Sequence, residues 1–314
     1  MTSAATPTAG RRVTPGALAV LVGYLLLAPP LFLVGPFALL TLLARPKTAR
    51  EILWLAASGL LLAGMLSAPL SLGSEIFRAS GLVATGVFVL LSIRGQSPAG
   101  TRAILAVAIA TIGVILWART LGIAWGQVEA AFAEMLRESY QTFADALSKE
   151  PGSSNELRTF MSQLQASAPS VARVIPGMLG LQAIAGLVLA ADWHHRIAEA
   201  PIGVRPGRFR DFRFNDHLVW GAIFTLGLLL VPLPAPTAAI AENLLVVWVG
   251  LYAVRGLAVV VTLLAPASPV LKLLAGVFVL LVAPLALGAF VAIGLADTWL
   301  DIRGRFVPPA PSGA

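Results

Sequence analysis

Trp248, Tyr252 and Arg255 follow one another at spacings of four and three, so in a helix they share one face. Two aromatic rings leading to a guanidinium can stack on a ring-bearing solute or hold an anionic one. Glu242 and Asn243 open the same apolar stretch and add a carboxylate and an amide to that candidate site. Arg255 has two other readings: an ion pair with a carboxylate on a neighbouring helix, or a snorkelling contact with headgroups. Arg119, two positions after Trp117 near the end of another apolar run, either neutralises Glu242 or lines the mouth of a pocket. Gln182 is a single amide in a third run, suited to a helix–helix hydrogen bond or a polar contact with a solute. Trp248, Tyr252, Arg255, Glu242, Asn243, Arg119 and Gln182 are the candidate solute-binding residues.

Asp192-Trp193-His194-His195 invites a metal reading, but adjacent histidines on a helix point about 100° apart and chelate poorly together. The chain has three histidines and no HExxH or HxxxH spacing, so no metal is expected and the tetrapeptide reads as a headgroup anchor. Asp297 and Asp301, with Trp299 between them and Arg303 beyond, read as an interfacial anchor in which Asp301 caps the helix or pairs with Arg305. A divalent-ion pair is the alternative. Cysteine is absent, which removes thiol catalysis, thiolate metal sites, disulfides and palmitoylation. No Walker A, GxSxG or DxxD motif occurs, so neither an enzyme nor a cofactor is expected, and the chain carries no ATPase motif.

The elements that must position these residues follow from composition. Apolar residues make up 58% of the 314 and charged ones only 12%, where a soluble domain carries about a quarter charged. Soluble enzymes, nucleic-acid-binding domains and disordered chains are excluded, and an integral membrane protein is expected. The net charge of +7 then marks cytoplasmic loops near anionic headgroups rather than a nucleic-acid surface. Eight hydrophobic segments can be counted. They lie between Arg12 and Arg45, between Glu51 and Glu75, and over Ile76 to Ile93, Ala103 to Ile123, Val174 to Trp193, Leu218 to Pro232, Ile240 to Leu264 and Val270 to Ala296. The first, interrupted by Pro29-Pro30 and Pro36, and the last, with Pro284 in its middle, are long enough to be broken pairs, which leaves eight to ten spans. Arg11-Arg12 followed by Ala17 to Ala28 has the form of a signal peptide, but the apolar run continues past the plausible cleavage point, so an uncleaved segment is expected.

Between the fourth and fifth segments the pattern changes. Trp125, Val128, Phe132, Leu136, Tyr140, Phe143 and Leu147 recur every three or four residues, the signature of an amphipathic helix. Pro151 to Ser154 interrupts it, Ser153 with Glu156 fits a capping box, and Leu157, Phe160, Met161 and Leu164 mark a second apolar face. Pro169 and Pro176 then lead into the fifth segment. Residues 124–170 are expected to form an extracytoplasmic helical hairpin, either capping the bundle or docking a partner through Phe132 and Leu136. Its acids (Glu129, Glu134, Glu138, Asp145, Glu150 and Glu156) place it outside. The Arg-rich loop from Trp193 to Arg213, with Arg94, Arg102, Arg45, Lys47 and Arg50, falls inside. The termini move with the span count.

Several motifs carry a resemblance. A Pro-broken first segment precedes a short basic loop and, later, the acidic insert VEAAFAEMLRESYQTF. FRDFRFNDHLVWGAIFTLGLLL, ENLLVVWVGLYAVRGLAVV and the closing VAIGLADTWLDIRGR follow. From about Gly16 to Arg305 the chain resembles the uncharacterised YybS-like family of bacterial multi-pass membrane proteins. Asn215 stands where that family usually has Pro, and Arg255-Gly256 where it tends to have Gln-Gly. The family is similar in pattern to the S-components of energy-coupling-factor importers, which capture a solute and borrow a transmembrane coupling protein and ATPases.

The expected protein is an all-α polytopic membrane helix bundle in the bacterial cytoplasmic (inner) membrane. It is one integral membrane domain over 1–314 with the 124–170 hairpin inserted. What the resemblance implies is a transport-type solute-binding subunit without its own ATPase. The alternative is an assembly protein that docks another membrane protein through the hairpin. Its partners are the lipid bilayer and either coupling and ATPase subunits or that membrane protein; nucleic acid is not among them.

Overall fold

The structure, a computed structural model, describes residues 14–67, 71–148 and 155–306. Every regular element among these residues is helical. In order they are α1 (Pro15–Leu27), α2 (Leu31–Leu43), α3 (Ala49–Ser67), α4 (Leu72–Arg94), α5 (Ala99–Thr120), α6 (Trp125–Ser148), α7 (Asn155–Ile197), α8 (Leu218–Leu229), α9 (Ala235–Leu263), α10 (Pro269–Leu281), α11 (Ala283–Leu300) and α12 (Ile302–Phe306). A 3₁₀ turn, Phe209–Asp211, precedes α8.

All eight hydrophobic segments appear as helix, and the two broken ones break at proline. Pro29-Pro30 splits the first into α1 and α2, because proline supplies no N–H to continue the ladder. In the last, Pro284 falls in the first turn of α11, where a missing N–H costs nothing. Side chains start other helices: the Thr14 hydroxyl accepts from Ala17 N–H, Ser71 and Ser74 form a capping box on α4, and Ser268 caps α10. Six helices are long and apolar enough to cross a membrane: α3, α4, α5, α9, α11 and the Thr159–Ile197 part of α7. The helices α1, α2, α8 and α10 are shorter. At thirteen residues, α1 and α2 each reach about 20 Å, short of the roughly 30 Å hydrocarbon core. Large apolar side chains such as Leu53, Leu60, Leu273 and Leu280 are exposed; a bilayer is the solvent that suits such a surface.

Two compact units divide the chain. One comprises residues up to Ala172 with Gln182–Pro206; the other comprises Arg173–Leu181 with the residues from Gly207 onward.

In the first unit α2 is the central element, buried from Leu31 to Ala38 and again at Leu40 and Thr41. It packs on α3 and α4. Gly81 of α4 makes room for Leu31, and Gly186 of α7 admits the Tyr24 hydroxyl and Phe32; a Cβ at either glycine would lie within 3 Å of those groups. Phe37, Trp54 and Trp193 stack edge to face beside Leu21, Tyr24, Leu33 and Val34. The amphipathic helix α6 rests on α4, where Gly73 meets Ala131. Phe132 is buried there and Leu136 half-buried, so Phe132 is part of this unit's own core and is not an open docking surface.

The helix expected as the second arm of a hairpin differs from expectation. It does not end near residue 170: α7 runs unbroken from Asn155 to Ile197, through Pro169 and Pro176. A proline interrupts a ladder locally, and neighbouring polar groups can take up what it frees. Arg11, Arg12 and the Ser153 cap lie outside the described residues.

In the second unit α9 packs most extensively on α11 and also on α8 and α12.

Candidate functional site

Two glycines set the geometry of the second unit. A Cβ on Gly256 of α9 would stand 1.8 Å from the Phe290 carbonyl oxygen, and one on Gly294 of α11 would stand 2.0 Å from that of Tyr252. Hydrogen alone fits at both positions, the small-residue contact that lets membrane helices pack closely. The same approach brings Arg255, next to Gly256, against Asp297, three residues past Gly294.

Arg255 is 1% exposed, and its Nε donates to Asp297 Oδ2 at 3.0 Å. It lies eight residues before the end of α9, about 12 Å inside an apolar helix at 1.5 Å per residue. Asp297 is also buried, and the same oxygen accepts a bond from Arg303 Nη2 at 2.8 Å. Arg303 can reach back because Asp301 takes a left-handed backbone (φ 41°) between α11 and α12, a conformation aspartate tolerates better than most residues. A second carboxylate meets Arg255 from the other side: Arg255 Nη1 donates to Asp216 Oδ1 at 2.6 Å, and the Asp216 side chain is 59% exposed. Arg255 thus has one dry carboxylate partner and one wet one.

The segment 207–217 forms a strap over this cluster. Arg303 Nη1 donates to the carbonyls of Arg210 at 2.9 Å and Phe212 at 3.1 Å, and Thr262 donates to the Arg210 carbonyl. Arg213 pairs with Asp301. The Arg255 guanidinium stands 5.4 Å from the Phe214 ring centroid, and Phe214 meets Tyr252 edge-on at 5.2 Å. Two buried polar atoms of the cluster have no hydrogen-bond partner among the described residues: Asp297 Oδ1 and Arg303 Nε.

Of the seven candidate residues, Tyr252 and Arg255 come together here. Trp248 is taken up by α8, where its Nε1 donates to Thr225 Oγ1 at 3.1 Å and its ring fills the space above Gly221. Asn243 splices into α7. Gly177 N–H donates to Asn243 Oδ1 at 2.6 Å, and Asn243 Nδ2 donates to the carbonyls of Arg173 at 2.7 Å and Ala239 at 2.8 Å. In an unbroken helix Gly177 and Arg173 would bond each other. The amide bridges them beside Pro176, which accounts for the helix continuing there. Glu242 is half-buried in the second unit. In the first unit, Gln182 contributes its backbone, accepting from the Tyr24 hydroxyl at 2.8 Å, and Arg119 is exposed near the end of α5.

Two anchor readings are overturned. Asp297 is the buried hub of the ionic cluster, while Asp301 does take the C-cap position of α11 and pairs with Arg213 rather than Arg305. Likewise Trp193, His194 and His195 are buried rather than laid against headgroups. His194 Nε2 accepts from Ile202 N–H at 3.1 Å, so the proton is on Nδ1, which faces Thr41 Oγ1 at 3.2 Å. His195 contacts the Gly203 carbonyl, and Glu51 accepts from the backbone N–H groups of Lys47, Thr48 and Glu199. Arg102, 1% exposed, donates to the Val204 carbonyl at 3.1 Å over the Phe88 ring. The loops that charge assigns to the cytoplasmic side therefore converge at one end of the first unit.

Sequence reasoning missed Asp297, Asp216 and Phe214 as partners of Arg255, and Arg303 as the second partner of Asp297. The signal available was the lone Arg of one apolar segment and the lone Asp closing another, two charges that lipid would oblige to pair.

These features define a class: a polytopic, all-α membrane protein with a charge network inside its helix pack. Within that class, the chain belongs to the family described as predicted membrane protein (DUF2232), whose model matches residues 16–298. No curated protein and no solved structure matches it.

Proposed function

We propose that the protein is a transport-type solute-binding subunit of a bacterial cytoplasmic membrane, drawing its energy from separate subunits. The observation that carries this reading is the Arg255–Asp297–Arg303 network. Ionisable groups at such depth are costly, and they mark solute or ion pathways more often than they serve as mere struts. A second feature supports it. Both units contain an interrupted apolar helix, α1–α2 at Pro29-Pro30 and α10–α11 at Val282, and such breaks accompany solute sites in transporters. The chain has no nucleotide-binding loop, so a coupling protein and ATPases would supply the energy, as in the S-components that the sequence resembles. No catalytic step is part of this reading.

The test is a solute panel of vitamins and small organic anions, applied to the full chain in lipid nanodiscs while thermal unfolding is followed. At least one solute should raise Tm saturably in the wild type and lose affinity in Tyr252→Phe, which removes only the hydroxyl. A panel that leaves Tm unchanged, together with no solute uptake by cells overproducing the chain, overturns the reading.

One observation favours the assembly reading: Phe143 and Phe160 of the hairpin arms are exposed. On that reading Phe143→Asp abolishes copurification of one stoichiometric membrane partner without altering Tm, and an unchanged partner refutes it.

A further inference from the structure

We propose that Asp216 is an internal carboxylate that occupies the site of a solute monocarboxylate on Arg255, so that the solute binds by displacing the Asp216 side chain. This rests on the reading of the cluster as a solute site and names the solute's chemical class.

The two partners of Arg255 are unequal. Asp297 is dry, sits on a rigid helix and is held a second time by Arg303. Asp216 lies in the turn ahead of α8, and its side chain is 59% exposed while still touching Arg255 Nη1 at 2.6 Å. Water therefore reaches the carboxylate that covers a guanidinium only 1% exposed. Exchange at Nη1 requires a side-chain rotation of Asp216 alone. The rest of the strap stays pinned through the Arg210 and Phe212 carbonyls on Arg303 and through Arg213 on Asp301.

Charge decides the valence of the occupant. Without Asp216 the cluster holds two guanidinium groups and one carboxylate, a single buried positive charge in excess. A monoanion restores neutrality, whereas a dianion would overshoot in a site where uncompensated charge is expensive. Geometry favours a carboxylate, since that is the group already seated there. Tyr252, buried beside Phe214, offers its hydroxyl as a second polar contact.

The experiment uses the full chain in nanodiscs with acetate, the free analogue of the aspartate side chain, at constant ionic strength against chloride, and acetamide as the neutral control. Wild type, Asp216→Asn and Asp216→Ala are compared. Because Asp216 is exposed, both variants are expected to fold, and circular dichroism checks this. Acetate should stabilise Asp216→Ala saturably at a concentration at least tenfold below that needed by the wild type, with no response to acetamide. As the chain has no cysteine, a single Asn215→Cys thiol reports on the turn. In a chain otherwise wild type, acetate should speed its labelling several-fold. Equal responses of all three proteins to acetate and chloride overturn the proposal. If neutral solutes of the panel bind saturably and acetate binds none of the three, the displacement idea falls and the solute-binding reading stands. If no solute binds any of them, both fall.

Discussion

Asn243→Leu is the substitution whose cost follows most directly from the structure. The amide makes three hydrogen bonds, to Gly177 N–H and to the carbonyls of Arg173 and Ala239. At the ~0.6 kcal/mol average for side-chain hydrogen bonds between membrane helices, the two bonds that reach α7 are worth about 1 kcal/mol. At the ~1 kcal/mol typical of soluble proteins they are worth about 2. Leucine also leaves Gly177 N–H and the Arg173 carbonyl facing each other across an opening that Pro176 prevents from closing, and an orphaned buried group costs about 1–3 kcal/mol. A loss of about 2–4 kcal/mol is expected. Asn243→Asp should be worse, because it keeps the acceptor for Gly177 but turns a carboxylate toward two carbonyls. The decisive comparison is made in a Pro176→Ala background. There Gly177 can bond Arg173 directly, so Asn243→Leu should cost at least about 1 kcal/mol less than in the wild type. The assay is reversible unfolding in mixed detergent and SDS micelles, followed by tryptophan fluorescence. A loss under about 0.5 kcal/mol, or an equal loss in both backgrounds, would refute the splice.

Three further outcomes follow. Gly256→Ala should destabilise by about 2 kcal/mol or more, since its Cβ would meet the Phe290 carbonyl at 1.8 Å; Gly276→Ala, with nothing within 4 Å, should be neutral or gain up to about 1 kcal/mol in the same unfolding assay. Asp297→Asn should cost about 3–5 kcal/mol by leaving one of two buried guanidinium charges uncompensated, since only Asp216 then remains to face them, and adding Arg255→Met should recover part of that loss; additive losses in the double mutant would contradict the pairing. On α6, Phe132→Asp should lower Tm sharply while Phe143→Asp, at an exposed position, should leave it nearly unchanged; similar Tm values for the two would mean α6 does not pack on α4 as described.

Which parts of this molecule could be read from sequence depends on the range of the interaction. Apolar length and proline are local signals, and they located every segment and both breaks, although Pro36, read as a further interruption, lies inside α2 without breaking it. The continuity of α7 through Pro176 was not legible, because the compensating amide arrives from Asn243, 66 residues beyond Gly177. For the same reason Trp248, Tyr252 and Arg255 could be assigned to one face of α9 but not to their separate partners on α8, the strap and α11. The position of Asp297 at the end of an apolar run suggested an anchor, since periodicity says nothing about whether a helix end points outward. Charge economy would have done better. Arg255 and Asp297 are opposite charges in apolar segments of one unit, and pairing is the cheapest arrangement lipid allows. Arg102 marks the limit of that rule. It too is buried in an apolar helix, yet it meets the Val204 carbonyl and the Phe88 ring. Arg102 lies in the first turn of α5, within reach of a loop that offers carbonyl oxygens, whereas Arg255 lies two turns inside α9, where the backbone carbonyls are already bonded. Depth within the helix, more than apolar surroundings, decides whether an arginine must find an acid.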